Sequence, residues 1–176
     1  FLMNEGAYYP FAQYDVFQCM TGPGHAMILT GAYPYKMGIP INEWFDRTTG
    51  SEKYCVSDSE SKIVGVSESK SEGISTKNLL ATTVGDEMKD AGLKGQVVAM
   101  ALKDRSAVLL GGHRADLAFW LDMNSFSWVS SSFYLKDKKL PPWMEAINKT
   151  LHSRKGEIYK FQPTGKSSGR STPGDF

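Results

Sequence analysis

Gln96-Val97-Val98-Ala99-Met100-Ala101-Leu102 is an unbroken apolar run, and no other feature limits the fold of this chain more. An extended segment without polar side chains at its centre asks for cover on both faces, as a parallel strand between layers of helices has. A helix is expected just before it. Leu80, Val84 and Met88 recur at four-residue spacing, Ser75 or Thr76 suits the N-cap, and Gly92 suits the end, so the pattern predicts a helix over about 76–91. Helix, short loop and buried strand in succession are the order of an α/β fold.

The remaining punctuation divides the chain further. Residues 7–20 are rich in aromatics, with Val16-Phe17-Gln18-Cys19 expected as a short buried strand. A helix over about 23–30 ends at Gly31. Residues 33–40 read as loop, because two prolines and a glycine interrupt them. Residues 42–47 and 52–56 are expected to pair as a hairpin around Thr49-Gly50. Residues 57–75, mostly Ser, Glu and Lys, read as a solvated surface excursion. A second antiparallel hairpin is expected from 117–121 and 126–134, then a helix from Pro141-Pro142-Trp143 to about Leu151. From Ser153 the chain is basic, rich in Gly, Ser and Pro, and short of structural signals.

The 176 residues suffice for one domain with a core. Phe1-Leu2-Met3-Asn4-Glu5-Gly6 reads as the end of a helix entered midway, so a piece of a longer protein is expected. A net charge of +1 gives no electrostatic case for nucleic acid or an acidic membrane surface. No apolar run approaches the roughly 18–20 residues that span a bilayer. Cys19 and Cys55 lack metal-finger spacing. They read as two buried free thiols or as a single disulfide. Cys19, two residues before Thr21, is a weaker candidate nucleophile without a basic neighbour to lower its pKa.

The chemistry concentrates in three places. In Thr21-Gly22-Pro23-Gly24-His25-Ala26 a hydroxyl precedes a Gly-Pro-Gly turn that opens a helix. Proline fits the first helical turn, the glycines admit close approach to a ligand, and the helix N-terminus favours an anion such as phosphate. The same residues also read as plain turn chemistry. Lys103-Asp104-Arg105 follows the buried run, where open α/β sheets carry ligand groups at the carboxyl ends of strands. In an extended segment Lys103 and Arg105 point one way and Asp104 the other, giving either a two-cation clamp for phosphoryl oxygens or a surface charge cluster. Asn42 is a loop amide donor or a turn residue. His25 reads as packing, His113 as a loop donor or substrate contact, and His152 as exposed. The three histidines make no complete metal site. Asn148-Lys149-Thr150 matches a glycosylation sequon.

From about Asn4 to Trp143 the chain resembles the alkaline phosphatase superfamily, specifically the PafA-type bacterial phosphate monoesterases. The blocks that carry this are Asn4-Glu5-Gly6-Ala7, the Thr21 turn, Thr30-Gly31, Gly38-Ile39 and Asn42-Glu43-Trp44-Phe45-Asp46-Arg47. They continue through Lys77-Asn78-Leu79-Leu80, Gly85-Asp86-Glu87, Ala101-Leu102-Lys103-Asp104-Arg105, Gly112-His113 and Trp128-Val129-Ser130-Ser131. The resemblance implies part of a three-layer α/β/α core with a mainly parallel sheet and a peripheral β-hairpin. Residues 1–176 would be the N-terminal portion of one catalytic domain. It implies that Thr21 is the nucleophile, passing through a phosphothreonine, and that Asn42, Lys103 and Arg105 hold phosphate oxygens. Lys103 and Arg105 would also favour a monoester dianion over a diester; a phosphodiesterase, a nucleotide pyrophosphatase or an inactive anion-binding fragment are the other readings. Two zinc ions are implied, with Thr21 as one ligand and the others beyond this chain. A small phosphate ester as substrate and a periplasmic or secreted location complete the expectations.

Overall fold

The computed structural model describes residues 5–66, 72–154 and 156. Two sheets organise them. A hairpin pairs β1 (Glu43–Asp46) with β2 (Ser51–Tyr54), antiparallel, with Glu43 opposite Tyr54. A second sheet joins β3 (Ile63–Val64), β4 (Val98–Ala101), β5 (Leu117–Asp122) and β6 (Ser127–Ser131) in the spatial order β3-β6-β5-β4. β4 runs parallel to β5, Ala99 opposite Ala118, as the sequence order led one to expect. The sheet as a whole is mixed, because β5–β6 and β3–β6 are antiparallel.

Helices cover both faces. Alternate residues of β5 point to opposite sides, and they enter two separate apolar clusters. Ala118 and Trp120 pack with Ala99, Ala107, Val108 and Ala26, that is, under α1 (Thr21–Thr30) and α4 (Asp104–Gly111). Phe119 packs with Val64, Leu140 and Met144, the last from α5 (Pro142–Ser153). The edge of the Phe119 ring meets the Trp143 ring at 5.5 Å between centroids. Helix, sheet and helix thus form three layers. The covering of β4 is one-sided: Ala99 is buried while Val98 and Met100 are 51% and 50% exposed. The apolar run at 96–102 therefore alternates in burial, where cover on both faces was expected.

Several local expectations change. The helix expected over about 76–91 is α3 (Val84–Asp90) alone. Its start is fixed by a capping box in which Thr83 Oγ1 accepts from the Asp86 N–H and Asp86 Oδ2 accepts from the Thr83 N–H at 2.8 Å. The apolar stripe that suggested the longer helix faces solvent, with Leu80 74% exposed. Residues 33–40 are not all loop: Pro34 opens α2 (Pro34–Met37), and Gly38, at φ +81°, ends it in a conformation that a side chain would resist. Residues 16–19 form no strand, and Phe17 is 99% exposed.

Within 57–75 the described residues are not simply a solvated excursion. Asp58, Ser61, Ile74 and Ser75 are buried, β3 extends the sheet, and the Asp58 N–H donates to the Gly73 carbonyl at 2.7 Å. The expectation of weak structure from Ser153 falls largely outside the described residues; α5 itself continues to Ser153. No helix among the described residues is long and apolar enough to cross a membrane.

Candidate functional site

α1 begins at Thr21 without a side-chain cap from its own preceding residue, Met20. Its first turn needs few partners of its own, because Pro23 has no N–H and the Gly24 N–H reaches the Met20 carbonyl at 2.9 Å. The Gly22 N–H is capped from a distance by Asn42 Oδ1, at 2.7 Å. Neither the Thr21 N–H nor its hydroxyl has a hydrogen-bond partner among the described residues. Thr21 is partly exposed. A hydroxyl and a free N–H therefore stand at the positive end of a ten-residue helix, which is the setting that favours an anion.

The absence of a side chain at Gly22 is what allows this approach. A Cβ there would lie 3.0 Å from Asn42 Oδ1 and 3.2 Å from Cys55 Sγ. Gly24 is different, since a Cβ there would meet nothing within 4 Å. Only the first of the two glycines is required by close packing. With Asn42 Oδ1 committed to Gly22, the amide NH2 of Asn42 is left as the group able to donate to a ligand.

Asn42 and Cys55 are the two feet of the β1–β2 hairpin, joined by a hydrogen bond from the Cys55 N–H to the Asn42 carbonyl at 2.8 Å. Asn78 braces the second foot by donating from Nδ2 to the carbonyls of Tyr54 and Cys55, each at 3.3 Å. Both thiols are free. Cys55 is fully buried, and burial together with the nearby Asp104 carboxylate pushes its thiol up to about 12. It is not a nucleophile at neutral pH. Cys19 is exposed.

The hairpin also reaches α4. Lys103 is the extended N-cap residue and Asp104 and Arg105 are the first helical residues, so the alternation expected for a continuing strand does not apply. Asp104 and Arg105 instead converge on one phenol. Tyr54 Oη donates to Asp104 Oδ1 at 2.6 Å and accepts from Arg105 Nη1 at 3.0 Å. Burial and the Asp104 carboxylate raise the Tyr54 phenol well above its ordinary value, so it stays protonated. Burial works against the Arg105 charge, but Tyr54 and Asp104 outweigh it and hold the guanidinium above its usual range. Arg105 Nε is buried with no hydrogen-bond acceptor among the described residues. Such an orphaned donor costs about 1–3 kcal/mol, which an arriving anion would offset.

Of the four residues singled out in the sequence, Thr21 and Asn42 meet through Gly22, and Arg105 joins them through Tyr54 and its neighbour Cys55. Lys103 is exposed, and its side chain has no hydrogen bond or ion pair among the described residues. It lines a cavity of about 250 Å³ with Asp104, Glu72, Ile74 and Trp120. The histidines are occupied elsewhere. His25 Nδ1 donates to the Thr21 carbonyl at 2.8 Å, and His113 bonds to Thr76 Oγ1 at 2.9 Å. His152 is exposed and bonds through Nε2 to Ser127 Oγ. Among the described residues no group of three or more His, Cys, Asp or Glu side chains could hold a metal ion. The Thr21 oxygen alone does not make a metal site, so these residues do not by themselves fit the two zinc ions. Tyr54, Asp104 and Asn78 carried no sequence signal for this site, although Asn78 and Asp104 lie in blocks of the resemblance.

This arrangement defines a class. Over residues 1–164 the chain matches the type I phosphodiesterase / nucleotide pyrophosphatase family, and it belongs to that family. Within the alkaline phosphatase superfamily it is PafA-like. It is 40% identical over 149 residues to alkaline phosphatase PhoV of Synechococcus elongatus, covering 84% of this chain and 26% of PhoV. To alkaline phosphatase PafA of Elizabethkingia meningoseptica it is 34% identical over 148 residues, covering 84% of this chain and 27% of PafA. The crystal structure of wild-type PafA superposes with a TM-score of 0.77 at 31% identity, over 86% of this chain and 30% of that one. A PafA variant substituted at a threonine, an asparagine, a lysine and an arginine superposes equally well, with a TM-score of 0.77 at 28% identity and the same coverage. The chain thus spans between a quarter and a third of the length of these relatives.

Proposed function

We propose that the full-length protein containing this chain hydrolyses phosphate monoesters, with Thr21 as the nucleophile. The observation that carries this is the unpartnered Thr21 hydroxyl at the N-terminus of α1, beside an Asn42 amide whose oxygen is already bound to Gly22. A second support is the set of positions altered in the PafA variant. Their intervals are 21, 62 and 2 residues, against 21, 61 and 2 between Thr21, Asn42, Lys103 and Arg105. In the reaction, Thr21 Oγ bonds to phosphorus as the ester P–O bond breaks, and the hydroxyl proton ends on the departing alcohol. Water then attacks the phosphothreonine and releases inorganic phosphate. The Asn42 NH2 and the Arg105 guanidinium hold phosphoryl oxygens as charge builds on them, and Lys103 adds a point charge.

Among the described residues no base faces the Thr21 hydroxyl, since His25 is turned to the Thr21 carbonyl. Activation of the alcohol therefore depends on groups beyond them. The two zinc ions implied by the resemblance belong to that same proposal for the full-length protein, as does a periplasmic or secreted location. The free thiols give no support to the location. Substitution of Thr21 by Ala is expected to abolish phosphate release while leaving thermal unfolding within a few degrees of wild type. Acid quench during turnover of a labelled monoester should leave the label on Thr21. Turnover at the wild-type rate in Thr21→Ala would remove the residue from the mechanism.

The family match by name to phosphodiesterases and nucleotide pyrophosphatases favours a second reading, hydrolysis of diesters. A monoester dianion carries more unshielded negative oxygen, so Lys103→Ala separates the two. On the monoester reading it lowers kcat/KM for a monoester at least tenfold more than for a matched diester. Equal effects on both substrates favour the diesterase.

A further inference from the structure

We infer that Tyr54 is a positioning residue that keeps the Arg105 guanidinium open for phosphate, an inference that rests on the monoester reading above. Asp104 and Arg105 are adjacent and oppositely charged, and a guanidinium free to turn would pair with the carboxylate beside it. The Tyr54 phenol stands between them. It has one proton, and an ionised carboxylate can only accept, so the 2.6 Å contact fixes that proton on the Asp104 side. The oxygen lone pair is thereby turned to Arg105 Nη1, 3.0 Å away, and the guanidinium carbon lies 5.9 Å from the centre of the phenol ring.

Which edge of the guanidinium this leaves is decided by its covalent geometry. Nη1 lies on the Cδ side, so engaging it leaves Nη2 and Nε as the parallel pair of donors that fits two oxygens of one phosphoryl group. The same edge contains the buried Nε that has no acceptor among the described residues. The phenol itself is not free to drift. Its backbone carbonyl is held by Asn78, and the next residue, Cys55, is tied to Asn42 and packed on Gly22. Tyr54 thus links the position of Arg105 to the foot of the hairpin that also carries Asn42.

The test is the affinity of the full-length protein for inorganic phosphate, read as its inhibition constant against a monoester, in a double-mutant cycle of Tyr54→Phe and Arg105→Ala. Tyr54→Phe is expected to weaken phosphate about tenfold, the size associated with losing a hydrogen bond to a charged group, with an unchanged unfolding midpoint. In the Arg105→Ala background the same substitution is expected to cost nothing further. Asp104→Ala removes the proton acceptor and is expected to weaken phosphate in the same direction, again without effect once Arg105 is gone. Unchanged phosphate affinity in Tyr54→Phe, or an equal loss with and without Arg105, overturns the inference. If Arg105→Ala alone leaves phosphate affinity and turnover as in wild type, it is the monoester reading of the clamp that fails.

Discussion

Asn42 and Asn148 place the same amide in two regions and use it differently. At the junction of β6 and α5, Asn148 is 8% exposed, and both ends of its side chain are closed on one residue. Oδ1 accepts from the Trp128 N–H at 2.7 Å and Nδ2 donates to the Trp128 carbonyl at 2.8 Å. At the foot of the β1–β2 hairpin, Asn42 closes only its oxygen, on Gly22, and its NH2 has no acceptor among the described residues. An amide engaged at both its oxygen and its nitrogen is a strut. A half-satisfied one, held still by the bond it does make, is a donor oriented in advance for something that arrives. The same contrast disposes of the sequon at Asn148, whose amide nitrogen is already committed.

The largest effect that would sharpen this contrast comes from Asn42→Asp. The carboxylate can still accept from the Gly22 N–H, but it replaces the free NH2 with negative charge. About a thousandfold loss of monoester turnover is expected, with normal folding. Asn42→Ala is expected to lower turnover about a hundredfold. It removes the distant cap of α1 as well, at a cost of about 1 kcal/mol in chemical denaturation. Asn148→Ala should behave in the opposite sense. Leaving the Trp128 N–H and carbonyl unpaired is expected to cost about 2–3 kcal/mol of stability with kcat/KM unchanged. If Asn148→Ala loses activity without stability, or Asn42→Ala loses stability without activity, the comparison is broken.

The smallest effect concerns the thiol under Gly22. A titrating thiol reagent is expected to modify Cys19 in the native protein and Cys55 only after unfolding, since the first is exposed and the second buried. The pH dependence follows from the same burial. Cys55 keeps its proton in the folded state up to about 12, while the unfolded thiol loses it near its ordinary value of 9.0. Between those values the folded state binds more protons, so this contribution to stability is complete below the lower value and declines as pH rises through the window. Denaturation of Cys55→Ala across that range should show a shallower decline than wild type.

What could be read in the sequence was whatever is punctuated locally. The start of α1, its end at Gly31, the β1–β2 hairpin around Thr49-Gly50 and the β5–β6 hairpin all follow from Pro, Gly and short apolar runs. The helix expected over 76–91 rests on a stripe of Leu80, Val84 and Met88 that faces solvent in the fold, where the Thr83–Asp86 capping box sets the helix start. At Lys103 a strand was continued where a helix begins. The contact of Tyr54 with Asp104 closes across 50 residues, and nothing in the spacing of either residue announces it. Thr21, Asn42, Lys103 and Arg105 stand out as candidates from local motifs, while the roles expected of them come from the family resemblance. The bracing by Asn78 and the phenol between Asp104 and Arg105 are tertiary facts with no periodicity to betray them.

The hydrogen bond between the Cys55 N–H and the Asn42 carbonyl closes the hairpin at its base, and beyond it the site draws on Tyr54, at the near end of β2. The exposed turn at 47–50 is therefore a place where foreign sequence can be spliced in. A fluorophore or short epitope inserted there would report on the protein's whereabouts and assembly while the chemistry below goes on undisturbed.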